Sequence, residues 1–201
     1  MDYIENVEDL AALYGTPSTP ALIKVTPCLS PAYRAWIERS RFCILSTVGP
    51  EGTDASPRGD DGAVVRVLDA ITLALPDWRG NARIDSLRNI VRDPRVSLMF
   101  LVPGSNNVIR VNGSARVTAD GALCASFTRD GKMPRTVIVI KIAEVYSQCA
   151  RAILRARLWT SGDDSAGLPT MGDILQEIAK GDFDGATYDA EWSGRAASTL
   201  W

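Results

Sequence analysis

Between Phe42 and Val145 the chain sets short apolar segments a few residues apart, most of them closed by turn residues, and this spacing restricts it to a sheet of antiparallel strands. Phe42 to Val48 is a continuous apolar run ended by Gly49-Pro50-Glu51-Gly52, and Thr53 to Pro57 leads back out of that turn. A Gly59 to Gly62 loop precedes Val64 to Leu68 and Ile71 to Leu75, and Val96 to Val102, Val108 to Val117 and Thr136 to Val145 follow. Strands this close are the mark of an antiparallel barrel or sandwich rather than of βαβ units. In Val108 to Val117, Val111, Gly113, Ala115 and Val117 alternate with Arg110, Asn112, Ser114 and Arg116, which predicts one dry face and one wet face.

Helical signals flank and interrupt these strands. Ile4, Val7, Leu10, Ala11 and Tyr14 recur at helical spacing before Gly15, and Ser30-Pro31 is an N-cap followed by a first-turn proline. Between them Pro17, Pro20 and Pro27 predict an extended strap over residues 16–27. Asn81 is expected to cap a helix running through Val91, with Pro76 to Gly80 as the loop before it and Asp93-Pro94 ending it. Further helical pieces are expected around Asp120 to Phe127, Cys149 to Trp159 and Thr170 to Lys180, with no strong period in residues 182–201. The organisation read from this is an N-terminal helix and strap (1–29), a barrel domain (30–160) and a C-terminal helical extension of the same domain (161–201).

Composition narrows the function classes. A formal net charge of -2 argues against a general nucleic-acid binder, since phosphate affinity needs a basic surface. No apolar run approaches the roughly 20 residues that span a bilayer, and the acidic start MDYIENVEDL lacks the basic-then-apolar order of a secretory signal, so a cytoplasmic protein is expected. Cys28, Cys43, Cys124 and Cys149 form no Cys-x-x-Cys pair, which predicts reduced and mostly buried thiols, Cys149 included. The chain has no histidine, so the commonest general base and metal ligand is missing.

What chemistry the sequence offers is concentrated between Ser56 and Arg110, where Arg58, Arg66, Arg79, Arg83, Arg88 and Arg110 interrupt otherwise core-like segments. A helix start carries unpaired N–H groups and partial positive charge, so Asn81, Arg83 and Ser86 around it can cradle a phosphate, with Arg58 and Arg110 on strands that can close over the same end. The alternative is a plain helix cap with arginines solvated or paired to Asp77 and Asp85, and spacing does not choose between the two. Arg151, Arg155, Arg157 and Trp159 form a second candidate for stacking on a flat ligand, against a basic helix whose Trp fills a core gap. The acid pairs Asp60-Asp61, Asp163-Asp164 and Asp182-Asp184 lack the spacing of a calcium loop and read as solvated turns.

The succession Ser56-Pro57-Arg58-Gly59-Asp60, Leu75-Pro76-Asp77, Arg79-Gly80-Asn81-Ala82-Arg83, Asp85-Ser86-Leu87-Arg88-Asn89-Ile90, Asp93-Pro94-Arg95-Val96-Ser97-Leu98 and Arg110-Val111-Asn112-Gly113 resembles the pyridoxamine 5'-phosphate oxidase-like flavoproteins over roughly residues 30–160. The resemblance extends to a subgroup of unassigned substrate through the Cys149 to Trp159 segment, where Gln148 stands in place of the histidine common in that subgroup. It implies a β-rich α+β fold, an antiparallel six-stranded split β-barrel with peripheral helices, and a homodimer with FMN at the subunit interface. By that resemblance Arg58, Asn81, Arg83 and Ser86 surround the phosphate and ribityl chain, and Ser56, Pro57, Gly59 and Leu87 belong to the same cofactor site. Leu75, Pro76 and Asp77 run along the ring through their backbone, Arg110 reaches ring or phosphate, and Arg157 and Trp159 come from the partner subunit. The implied activity is FMN-dependent hydride transfer to or from a small organic substrate. A flavin-binding sensor without turnover, or a split barrel holding deazaflavin or haem, are the alternatives. The ending Glu191-Trp192-Ser193-Gly194-Arg195 lacks the Arg-Leu-x-Pro of the true oxidase, which speaks against pyridoxamine phosphate as substrate.

Overall fold

In a computed structural model, which describes residues 1–200, seven strands form one sheet. They are β1 (Phe42–Gly49), β2 (Gly52–Gly59), β3 (Arg66–Asp69), β4 (Thr72–Asp77), β5 (Arg95–Leu101), β6 (Val108–Thr118) and β7 (Thr136–Gln148), in the order β2-β1-β5-β6-β7-β4-β3. Every pairing is antiparallel. The sheet curls until β2, at one edge, meets the end of β4 near the other, where Arg58 Nη1 lies 2.5 Å from Asp77 Oδ1. Side chains rather than a backbone ladder close this seam, so the architecture is the expected split barrel. The count is seven strands rather than six because the four-residue β3 pairs with β4 as an extra edge.

Register follows from which face each side chain must occupy. Cys43, Leu45 and Thr47 of β1 point inward beside Phe100, Leu98 and Val96 of β5, and all six are buried. Burying a Leu or Phe contributes about 1.5–3 kcal/mol, and a slip by one residue would exchange these positions for Phe42, Ile44 and Ser46. The predicted alternation in β6 holds, with Val111 and Ala115 buried and Ser114 and Arg116 exposed. Its partner β7 keeps pace through a bulge: Asn112 pairs with Glu144 and Gly113 with Ile142, which leaves Ala143 unopposed. A Cβ on Gly113 would stand 2.0 Å from the Lys141 carbonyl oxygen, so this close approach admits only glycine.

Nine helices lie around the sheet among the described residues: α1 (Val7–Tyr14), α2 (Thr19–Ile23), α3 (Pro31–Arg39), α4 (Asp85–Arg92), α5 (Gly121–Ala125), α6 (Arg151–Ala156), α7 (Met171–Ile178), α8 (Gly185–Ala190) and α9 (Trp192–Thr199). The strap over 16–27 contains a helical turn, because Pro20 sits in the first turn of α2, where a missing N–H costs nothing. Residues 182–199 also depart from expectation: Asp184 caps α8 by accepting from Thr187 N, and α9 follows directly; Trp201 lies outside the described residues. α7 opens on a capping box between Thr170 and Asp173. None of these helices is long and apolar enough to cross a membrane.

α4 positions the site. Leu87 and Ile90 pack on the core, Asn89 Nδ2 donates to Thr47 Oγ1 at 3.1 Å, and Gly49 makes room, since a Cβ there would meet Asn89 Oδ1 at 2.2 Å.

Candidate functional site at the barrel split

On β2 the inward residues are Asp54, Ser56 and Arg58, opposite Thr47, Leu45 and Cys43 of β1. On β4 they are Leu73, Leu75 and Asp77, opposite Ile140, Ile138 and Thr136 of β7. Arg58 and Asp77 therefore meet inside the seam, with side chains only 17% and 20% exposed. The fork is incompletely used: Arg58 Nε is buried and has no hydrogen-bond partner. A buried donor left without an acceptor costs roughly 1–3 kcal/mol, and an acceptor brought to the seam would relieve that cost.

Four residues before Arg58 on β2, Asp54 Oδ2 accepts from Ser86 Oγ at 2.5 Å, and Ser86 is 4% exposed, which ties α4 to β2. Leu87 sits beside it, half-buried against the core. Pro57 and Gly59 are exposed along the outer side of β2. The pairing of β3 with β4 ends at Arg66 and Ala74, so Leu75 to Asp77 have no β3 partner, although Leu75 and Pro76 are buried. Leu75 is 1% exposed, its side chain part of the core.

Between β4 and α4 the chain takes two left-handed residues, Ala82 (φ 60°) and Ile84 (φ 54°). For a β-branched residue this conformation is an outlier, of the kind that costs about 1–3 kcal/mol and collects at functional sites. Ile84 occupies the N-cap position and supplies no side-chain cap, so the first N–H groups of α4 remain available. Asn81 is not the helix cap that its position in the sequence suggests. The helix starts four residues later, and Asn81 Oδ1 instead accepts from Arg83 N at 3.1 Å. Arg83 Nε pairs with Asp85 Oδ2 at 2.8 Å on the surface. Exposed pairs of this type contribute about 0–1 kcal/mol, so an incoming anion displaces the carboxylate at little cost. Arg79 is exposed in the same loop.

Beyond Asp77, Trp78 Nε1 donates to Asp60 Oδ2 at 2.8 Å, and Arg129 Nη1 donates to Asp60 Oδ1 at 2.6 Å. Asp60 is thus a buried, doubly held carboxylate and not the solvated turn residue expected from sequence. A cleft of about 370 Å³ lies alongside, lined by Trp78, Arg129 and Arg66, whose guanidinium stacks 3.9 Å above the Phe127 ring. Arg129 stands 69 positions from Asp60 and has no sequence signal. Asp54 had one, because it alternates with Ser56 and Arg58.

Arg110, Arg157 and Trp159 lie elsewhere. Arg110 is opposite Met99 and Tyr146, out of phase with the inward Ile109 and Val111, and its guanidinium sits 5.2 Å from the Tyr146 ring centroid. Within one chain Arg58 and Arg110 therefore face opposite sides of the sheet and do not close over one end. Trp159 Nε1 donates to Ser105 O at 2.7 Å, pinning the segment after α6 to the β5–β6 turn rather than filling a core gap, and Arg157 is exposed at the end of α6.

Of the thiols, Cys43 and Cys124 are buried, whereas Cys149 is exposed, contrary to the buried thiol expected there. Burial pushes the Cys43 thiol up to about 12, against a smaller opposing pull from Arg58. Among the described residues no group of His, Cys, Asp and Glu is arranged to hold a metal ion.

A family model described as pyridoxamine 5'-phosphate oxidase matches residues 29–149, well over half of the chain. The protein belongs to the pyridoxamine 5'-phosphate oxidase family. The matched region runs from the start of α3 through β7, so the family fold includes the seam, α4 and the strained loop between them. Among solved structures the chain is similar to Group A Streptococcus HupZ, with 18% identity, 59% of this chain and 93% of that chain covered and a TM-score of 0.48. It is also similar to General Stress Protein 26 from Bacillus anthracis (19%, 57% and 88%, TM-score 0.43) and to an FMN-binding protein from Syntrophomonas wolfei (16%, 58% and 88%, TM-score 0.43). No curated protein matches the chain.

The residues present fit the flavin mononucleotide that the family implies. The unpartnered Arg58 Nε, the uncapped start of α4 and the exposed Arg79 and Arg83 suit an anionic tail.

Proposed function

We propose that this protein is an FMN-dependent flavoprotein oxidoreductase, a cytoplasmic homodimer with FMN at the subunit interface, that transfers hydride to or from a small organic substrate. The observation that carries this reading is the buried, unpartnered Nε of Arg58 at the seam of a split barrel of this family, on the same strand whose Asp54, four residues earlier, holds the uncapped start of α4 through Ser86. In this reading Arg58, Asn81, Arg83 and Ser86, with Ser56, Pro57, Gly59 and Leu87 around them, hold the phosphate and ribityl chain. Leu75, Pro76 and Asp77 line the ring through their backbone.

The division of the candidates between two places supports a site shared by two copies. Arg58 and its neighbours line the seam of one copy, while Arg110 faces outward and Arg157 and Trp159 sit by the β5–β6 turn. The proposed interface brings the second copy's Arg157 and Trp159 to the ring. Bound FMN supplies two-electron chemistry, and the protein supplies placement and electrostatics. Arg58 holds positive charge where the anionic tail sits, Asp77 fixes the orientation of its fork, and Ser86 anchors α4 to Asp54 so that the helix start does not drift.

The test is the absorption spectrum of the purified protein, then titration of apoprotein with FMN. Flavin absorption bands, a yellow colour and uptake at micromolar FMN are expected. No uptake would falsify the reading, and a strong violet haem band would replace it. Bleaching under anaerobic NAD(P)H separates an enzyme from a flavin-binding sensor.

A further inference from the structure

Among the described residues no element packs against the N-terminal arm. Every residue from Met1 to Pro20 is exposed, including Ile4 and, within α1, Val7, Leu10, Leu13 and Tyr14, which give the helix an apolar side. A helix of eight residues is marginal in water by itself, and tertiary packing normally supplies most of its stability. The arm is tethered near the sheet, since Thr26 bridges to Val145 of β7.

Charge selects what covers it. Up to Ile23 the arm carries Asp2, Glu5, Glu8 and Asp9 and no basic residue. The segment from Cys149 to Trp159 carries Arg151, Arg155 and Arg157 and no acidic residue. That segment is also exposed and apolar in part, through Leu154, Leu158 and Trp159, and the Trp159 bond to Ser105 O holds it in place. Arg151 and Arg155 make no ion pair or side-chain hydrogen bond among the described residues. An acidic amphipathic helix is repelled by anionic membranes, so a lipid surface is the wrong partner.

We infer that the acidic arm of each copy docks on the basic α6 segment of a second copy, so that two arms are exchanged across a dimer. Apolar contact between Val7, Leu10 and Tyr14 and Leu154 and Leu158 provides burial, and Glu5 and Glu8 against Arg151 and Arg155 set the direction. This rests on the homodimer of the proposed function and not on its flavin.

Charge reversal in trans tests it. Full-length Glu5→Arg/Glu8→Arg and Arg151→Glu/Arg155→Glu chains are prepared, barrel folding is checked by circular dichroism, and amide exchange of residues 7–14 is followed by mass spectrometry. Protection in the wild type, at least tenfold faster exchange in each variant alone, and recovery on mixing the two variants are expected, because both arm-to-α6 contacts are complementary only in the mixed dimer. Wild-type α1 amides exchanging at free-peptide rates would overturn the inference, and so would variants protected as well as the wild type. Recovery only when all four substitutions share one chain would also overturn it, by placing the contact within the chain. Flavin content is read from the same samples, so an arm that behaves as expected in a protein without flavin overturns the cofactor assignment alone.

Discussion

Arg58 and Asp77 lie 19 residues apart on strands that share no backbone ladder, yet their side chains meet at 2.5 Å and close the barrel seam. The pair is mostly buried, so removing one partner leaves the other charge without compensation. Arg58→Ala and Asp77→Asn are each expected to lower unfolding free energy by about 1–3 kcal/mol, with a double variant costing less than the sum. Arg58→Lys is expected to recover stability but not flavin uptake, because lysine has no counterpart to the Nε donor. Urea unfolding of the four proteins, with FMN titration alongside, checks both; strictly additive losses would sink the seam argument.

The bulge opposite Gly113 makes a separate claim. Gly113→Ala puts a methyl group 2.0 Å from the Lys141 carbonyl oxygen, where backbone must move. The expected loss is about 1–3 kcal/mol, or roughly 3–10 °C in melting temperature for a chain of this size. Gly80→Ala, in open space, serves as the control. Equal melting of the two variants would contradict the close approach.

Thiol reactivity is expected to rank the cysteines by burial. Cys149 is exposed and Cys43 is buried with its thiol raised to about 12, so alkylation of the folded protein at pH 8 modifies Cys149 first and leaves Cys43 untouched. Peptide mapping after timed iodoacetamide treatment reads the order. Modification of Cys43 at a rate comparable to Cys149 would count against its burial.

Asp93, at the end of α4, is held down to about 2 by its side-chain bonds with Arg95 and by the Arg95 backbone N–H. Its folded value lies below the roughly 3.9 of a free aspartate, so its contribution to stability is present above that pH and is lost as pH falls through about 2. Asp93→Asn should therefore flatten the acid limb of the stability curve while leaving the neutral region nearly level. A carboxyl carbon titrating near 4 in the folded protein would refute the assignment.

The sheet was largely legible in the chain because each strand carries its own inside and outside: the wet and dry faces of β6 follow directly from alternation. The cap at Ser30 was legible for the same local reason. Asn81 misled, since a good capping residue precedes the helix by four positions and makes a turn of its own with Arg83. The true start is set by Ser86 bonding to Asp54 and by Ile90 packing on the core, which together hold Ile84 in a conformation no propensity favours. Asp60 misled in the opposite sense: flanked by loop residues, it reads as solvated until Trp78 and Arg129 are seen to cover it.

Local chemistry in the chain was enough to specify the strands, most helices, the two faces of β6 and the family. Three-dimensional closure settled the rest: that β2 and β4 stop short of a shared ladder, that Arg58 keeps one donor unsatisfied between them, and that Arg110 faces away. The reason is that periodicity assigns a side chain to a face of its own strand, whereas the curl and stagger of a barrel decide which faces from distant strands come together, and those depend on the packing of the whole core.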